Sequence, residues 1–200
     1  MNRKIGMVSS CITLISVILF AIFMLFNMSF AAYAICILLS GGYLVMVSAY
    51  AVYARQKVEA AKYAGIAFAV IYAVFVMLVY YAQITTLVQS NLTEQAAQLL
   101  DYRKFGLFFS YDLFGYGMLA VSTFFIGLTI VPESKTGKIL KTLLLVHGMF
   151  SVVCLIPVLG IFDAGPAGGD WIGVAVPEVW CLYFIPVCFF SYRYFKQKND

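Results

Sequence analysis

The sequence predicts an all-α, polytopic membrane protein, with six transmembrane helices in one bundle. Three observations carry this. Charged residues make up only 11% of the 200 residues, against about 25% in a soluble domain. The apolar residues are gathered into long uncharged blocks, and a spanning helix needs about 20 of them in a row. Lysine and arginine recur on alternate connections between the blocks, the pattern of a chain that crosses a bilayer repeatedly.

The blocks are 5–27, 31–54, 64–86, 110–131, 139–162 and 171–192, and residues 1–200 form a single domain. In lipid every backbone polar group must be satisfied internally, so only helices and closed barrels span. Barrel strands would alternate over about 10 residues, whereas these blocks are uniformly apolar.

The first block follows Asn2-Arg3-Lys4, as a signal peptide would. A signal core is roughly 7–15 residues long, and the stretch from Ile5 to Phe26 is longer and followed at once by a second block. A retained first span is expected. The second block carries Ser40, Tyr43 and Tyr50. The third opens on Ala61, Gly65, Ala69 and Ala73, each four apart. Small residues at that spacing let helix backbones approach closely in membranes, and an internal partner helix is expected.

Residues 87–109 form the one substantial connection. Asn91-Leu92-Thr93-Glu94 reads as a helix start, Asn91 capping and Glu94 in the first turn. A short amphipathic helix around 92–103 should lie on the outer surface, either as an interfacial cover or as a lid. Asn91-Leu92-Thr93 also matches a glycosylation sequon, a pattern of low specificity. The fourth block places Asp112, Tyr116 and Thr123 on one helical face, the fifth His147, Ser151 and Cys154. A glycine-rich turn, 163–170, lacks the lysine of a phosphate-binding loop. In the sixth block Glu178 follows Pro177. Trp180 should point away from Glu178, packing or touching lipid, and Trp171 and the Tyr80-Tyr81 pair read as interfacial anchors.

Eleven of the thirteen basic residues fall at the N-terminus, the 2–3 and 4–5 connections and the C-terminal tail. Both termini are therefore expected in the cytoplasm, of a bacterial cytoplasmic membrane. The other side is acidic, with Glu94, Asp101, Asp112, Asp163, Asp170 and Glu178 against Arg103 and Lys104. The net charge of +4 belongs to the basic fringe, which suits anionic lipid, and calls for no nucleic acid. Five cysteines without a CxxC, and a single histidine, offer no metal cluster and no disulfide framework. No metal and no cofactor is expected.

At about 1.5 Å of rise per residue, Glu178 lies roughly 5 Å from the middle of its span, His147 roughly 4 Å and Asp112 roughly 13 Å. A charged side chain near the centre costs about 2.5–3.5 kcal/mol on insertion scales, so Glu178 should face the bundle. Pro177 frees a carbonyl one turn upstream, near Gly173, and Pro186 and Pro157 repeat the effect. Freed carbonyls at membrane depth are tolerated where they line a cavity. Glu178, Asp112 and Tyr116 are thus expected to wall an outward-opening polar pocket. With His147, Ser151 and Cys154 they form a candidate proton or cation relay. The structural alternative is that these groups only fix helix register.

The resulting expectation is a small proton- or cation-linked transporter or permeation protein. Its partners would be the bilayer, an unknown small ligand or ion and, as an option, further copies of itself. The alternative is a non-transporting sensor, assembly factor or regulatory subunit. Serine-nucleophile, HExxH and paired-aspartate motifs are absent, so no enzyme is expected.

Overall fold

The structure is a computed structural model that describes residues 1–89, 91–104, 106–155 and 171–198, with backbone alone for Leu155 and 171–175. Among these residues the chain is helical throughout, without strands. The helices are α1 (Asn2–Leu25), α2 (Ser29–Val52), α3 (Glu59–Thr85), α4 (Glu94–Leu100), α5 (Leu107–Thr129), α6 (Lys135–His147), α7 (Phe150–Leu155) and α8 (Trp171–Lys196). Short 3-10 turns sit at Gln56–Val58 and Tyr102–Lys104. Among the described residues, five segments are long and apolar enough to cross a membrane: α1, α2, Gln56–Thr85, α5 and Lys135–Cys154. The sixth apolar block of the sequence coincides with α8, which stays helical through Pro177 and Pro186. Pro157 lies outside the described residues, as do Asp163 and Asp170.

Local chemistry sets the helix ends. α1 stops at Asn27, the one non-glycine residue at positive φ (55°) among those described. Asparagine tolerates this left-handed geometry. The Met28 amide then donates to Phe23 O (2.8 Å) and the Asn27 amide to Met24 O (3.1 Å), which satisfies carbonyls left open by the helix end. α6 starts where the Ser134 hydroxyl accepts from the Gly137 amide.

Two expectations need correction here. α4 is capped by Thr93, whose hydroxyl accepts from the Ala96 amide, and not by Asn91. The segment around 92–103 is a seven-residue helix followed by a 3-10 turn, because Asp101 turns the chain into extended backbone (ψ 115°). The fifth block is also not one rod. It breaks between His147 and Phe150, where Gly148 runs against α5 so closely that a Cβ there would come within 2.8 Å of Phe124 Cβ.

The long helices close a ring. α1 packs on α2, α2 on α3, α3 on α5, α5 on α6 and α7, α6 on α8, and α8 returns to α1. Lipid provides no hydrophobic drive between helices, so close backbone approach and dispersion must hold them. Gly65 of α3 meets Ile126 of α5, where a Cβ would fall 2.7 Å from Cδ1. Ala69 and Ala73 are buried on the same side and Ala61 is half-buried. Gly6 of α1 lies beneath the ring of Phe195.

The ends of the ring differ in charge. Phe195 packs at a tilt against Tyr50 and Tyr53, Ser134 donates to Gln197 (2.8 Å), and Lys198 pairs with Glu133. These contacts gather the start of α1, the α2–α3 and α5–α6 connections and the end of α8 at one end. That basic end carries the eleven lysines and arginines counted above. The opposite end holds the α1–α2 turn and the segment between α3 and α5.

Candidate functional site

The interior of the ring is filled with hydroxyls. Along α2 the buried residues are Tyr33, Cys36, Ser40, Tyr43, Val47 and Tyr50, spaced alternately three and four apart, one helical face. α3 contributes Tyr72, Tyr80 and Gln83, and α5 contributes Asp112, Ser122 and Thr123 with half-buried Tyr116.

Asp112 sits in the half of the ring away from the basic end and is 4% exposed. Tyr80 is its hydrogen-bonding neighbour. Tyr33, Cys36, Tyr72, Tyr102 and Tyr116 all lie within electrostatic reach of the carboxyl. Yet Oδ1 is shielded from solvent and has no hydrogen-bond partner among the described residues. An unmet buried acceptor costs about 1–3 kcal/mol, so this oxygen is an exception that calls for an explanation.

The surrounding rings form a chamber. Tyr33 stacks on Tyr80 (centroids 5.4 Å), Tyr102 meets both, and Tyr116 meets Tyr72 edge-on (5.7 Å). The Tyr80-Tyr81 pair corrects a surface assignment: Tyr80 is 2% exposed while Tyr81 is 63% exposed. Adjacent residues on a helix point about 100° apart, so only one of the pair can serve as an interfacial anchor.

Tyr102 belongs to the connecting segment, and the segment is fastened. The Gln83 side chain donates to Leu100 O (2.8 Å) and accepts from the Tyr102 amide (3.2 Å). One amide group thus holds both edges of the turn and directs the Tyr102 ring over the chamber. Asp101 receives the Arg103 backbone and side-chain donors at 2.9–3.1 Å. Burial pushes the Asp101 carboxyl up, but these hydrogen bonds and the Arg103 charge prevail and hold it below the usual carboxylate range.

From the chamber, hydroxyls continue toward the basic end. Cys36 Sγ lies 3.9 Å from the Tyr116 hydroxyl, and Ser40 donates to Tyr72 (3.2 Å). Tyr43 donates to Ser122 (2.9 Å), and Ser122 donates to Gly65 O (2.7 Å). Along α3, Tyr80 to Gly65 corresponds to about 22 Å of rise.

His147 forms a separate node. It is 0% exposed. Trp180 Nε1 donates to His147 Nε2 (3.1 Å), so Nε2 carries no proton. Nδ1 then donates to Thr123 Oγ1 (2.7 Å), and Thr123 donates to Ala120 O (2.8 Å). Every donor in this chain has an acceptor. Phe150, Tyr183 and Phe184 pack around the imidazole. Trp180, expected on an outward or packing face, is buried (7%) and lies edge-on to Tyr116 (5.0 Å), joining the node to the chamber.

The remaining predicted residues are dispersed. Ser151 donates to Gly148 O (2.7 Å) within its own turn. Cys154 is half-buried beside Gly117 and within reach of Asp112. Glu178 is half-buried and its Oε1 is shielded and without a hydrogen-bond partner among the described residues. Its electrostatic neighbour is Cys181, and Leu182 one turn on is exposed. Glu178 therefore stands at the bundle edge, while Asp112 and Tyr116 meet in the interior. Sequence reasoning missed Tyr33, Cys36, Tyr72, Tyr80, Gln83 and Tyr102. The three–four spacing along α2 was a signal that could have found the first two.

No protein-family model, no curated protein and no solved structure matches the chain.

Proposed function

We propose that this chain is a six-span integral protein of a bacterial cytoplasmic membrane, both termini cytoplasmic, that binds a proton or a small monovalent cation at Asp112 and passes it across. The observation that carries the reading is the unmet Asp112 Oδ1 inside a chamber of tyrosine hydroxyls. An ionisable group within a membrane is by default a functional hypothesis, and an unpartnered oxygen is one that a proton or cation can satisfy. The acidic side of the chain would draw cations toward the chamber. Below it, the Tyr72–Ser40 and Tyr43–Ser122 pairs supply hydroxyls that both donate and accept. Glu178 is a secondary acid at the edge, and the His147 node is part of the frame.

Purified protein in proteoliposomes loaded with a pH-, sodium- or potassium-sensitive dye tests this. An imposed proton, sodium or potassium gradient should drive flux above that of empty vesicles, and Asp112→Asn should abolish it. Absent flux for all three ions, or unchanged flux in Asp112→Asn, overturns the reading.

A second reading, a non-transporting assembly or regulatory subunit, rests on the saturated His147 node, which is what polar groups used only to join helices look like. Recovery of a stoichiometric partner from native membranes, together with no ion flux, would favour it.

A further inference from the structure

A second concavity is lined by residues of α1 and α2 and not by Asp112. It is a groove of about 720 Å³ between α1 and α2 on the outside of the ring. Gly41 and Gly42 form its floor, and Ile5, Val8 and Leu38 its walls. Those three walls are exposed in the isolated chain. Lys4 closes the groove toward the basic end and is itself exposed. From residue 1 to residue 58 the sequence contains no aspartate or glutamate, so neither groove helix supplies an acid to neutralise this lysine.

At membrane depth an apolar concavity is filled by an acyl chain or by another helix. A second copy is disfavoured by symmetry. A two-fold contact through this face would oppose the same patch on both subunits, bringing Lys4 against Lys4 and one concave floor against another. A phospholipid has neither fault. Along α2 the lining runs from Ala34 to Val45, and along α1 from Lys4 to Ile12, so an acyl chain anchored at Lys4 would run from the basic end toward the middle of α2. A lysine near the membrane surface attracts an anionic headgroup. We infer that this groove is a binding site for one anionic phospholipid, its acyl chain laid over Gly41 and Gly42 and its phosphate at Lys4.

The site does not depend on the Asp112 reading. It is tested by native mass spectrometry of the detergent-purified chain, offered phosphatidylglycerol or phosphatidylcholine with identical acyl chains. One phosphatidylglycerol per chain should be retained, about fivefold in preference to phosphatidylcholine, the ratio expected for one basic side chain near the surface. Lys4→Gln should abolish that preference and leave residual binding of both lipids. Gly41→Leu should lower retention of both. A Cβ at Gly41 meets Met77 Cε at 3.6 Å, an ordinary contact with the end of a flexible side chain, so the larger residue adds bulk to the lining, and circular dichroism should show unchanged helicity. The inference falls if Lys4→Gln keeps the preference or Gly41→Leu retains lipid like the parent. It falls equally if the parent chain flies as a lipid-free dimer.

Discussion

Asp112 and His147 are both polar side chains sealed inside the same ring of helices, and their surroundings treat them in opposite ways. Around His147 the accounting closes: the Trp180 N–H, both ring nitrogens and the Thr123 hydroxyl each have a partner. Around Asp112 it does not close, because Oδ1 faces hydroxyl-bearing rings and meets none of them. The two nodes are joined through the Tyr116–Trp180 contact, so the difference is not one of depth alone. A buried polar network with every member satisfied stabilises and specifies a fold. One with an unmet acid carries a cost that natural proteins accept chiefly at functional sites. The pair therefore separates a group that builds the frame from a group that has something left to bind.

The sharpest way to break this comparison is to exchange its consequences. Asp112→Asn should remove ion flux at least tenfold while leaving thermal stability in detergent unchanged or raised, as removal of an unmet acid commonly does at functional sites. His147→Ala should do the reverse. It leaves the Trp180 N–H without an acceptor, removes the donor to Thr123 Oγ1 and opens a cavity, a loss of about 2–5 kcal/mol read as a lower melting temperature. A destabilised Asp112→Asn, or a His147→Ala that melts like the parent, would collapse the distinction.

Smaller effects refine it. Gly65→Ala forces Ile126 to move and should lower stability by about 1–3 kcal/mol, whereas Ala67→Gly, at an exposed position of α3, should cost about 1 kcal/mol through helix propensity alone. Gln83→Leu should release the segment that positions Tyr102. The expected readout is faster modification of Cys36 by a water-soluble maleimide, mapped by mass spectrometry. Cys36 reactivity equal to the parent would show that the clamp does not guard the chamber. Asp101→Asn should have the least effect, about 1 kcal/mol, because the Arg103 partner is exposed and the charge pair is screened by solvent. Because Asp101 is held below its ordinary range when folded, its contribution is present above the unfolded value of about 4. It is lost as pH falls through the lower, folded value, so acidification below about pH 4 should loosen the segment in the parent but not in Asp101→Asn.

Much of the architecture was legible before any coordinates. Five of the six apolar blocks became single helices within a few residues of their expected limits, since block length and the need to satisfy backbone groups in lipid leave little choice; the fifth breaks at Gly148, and its expected end lies outside the described residues. The basic residues marked one end of the ring. Asp112, Tyr116 and Thr123 could be assigned to one face of α5 by spacing, and all three do line the interior. The chamber around them could not be assembled that way. Cys36 reaches Tyr116 across 80 residues of sequence, and Trp180 reaches His147 across 33. Capping was misplaced by two residues because Asn91 and Thr93 are both good caps, and only the path of the following turn selects between them.

What the sequence determined by itself is the set of rods, their approximate ends and the charge at each end of the ring. Which side of each rod looks inward was decided by the tertiary structure. In a soluble protein, water marks the outer face with polar residues. In a bilayer the surroundings are as apolar as the interior, so Tyr80 and Tyr81 look alike in the sequence, and only packing against α2 and α5 turns the first toward Asp112 and leaves the second on the exposed face of α3.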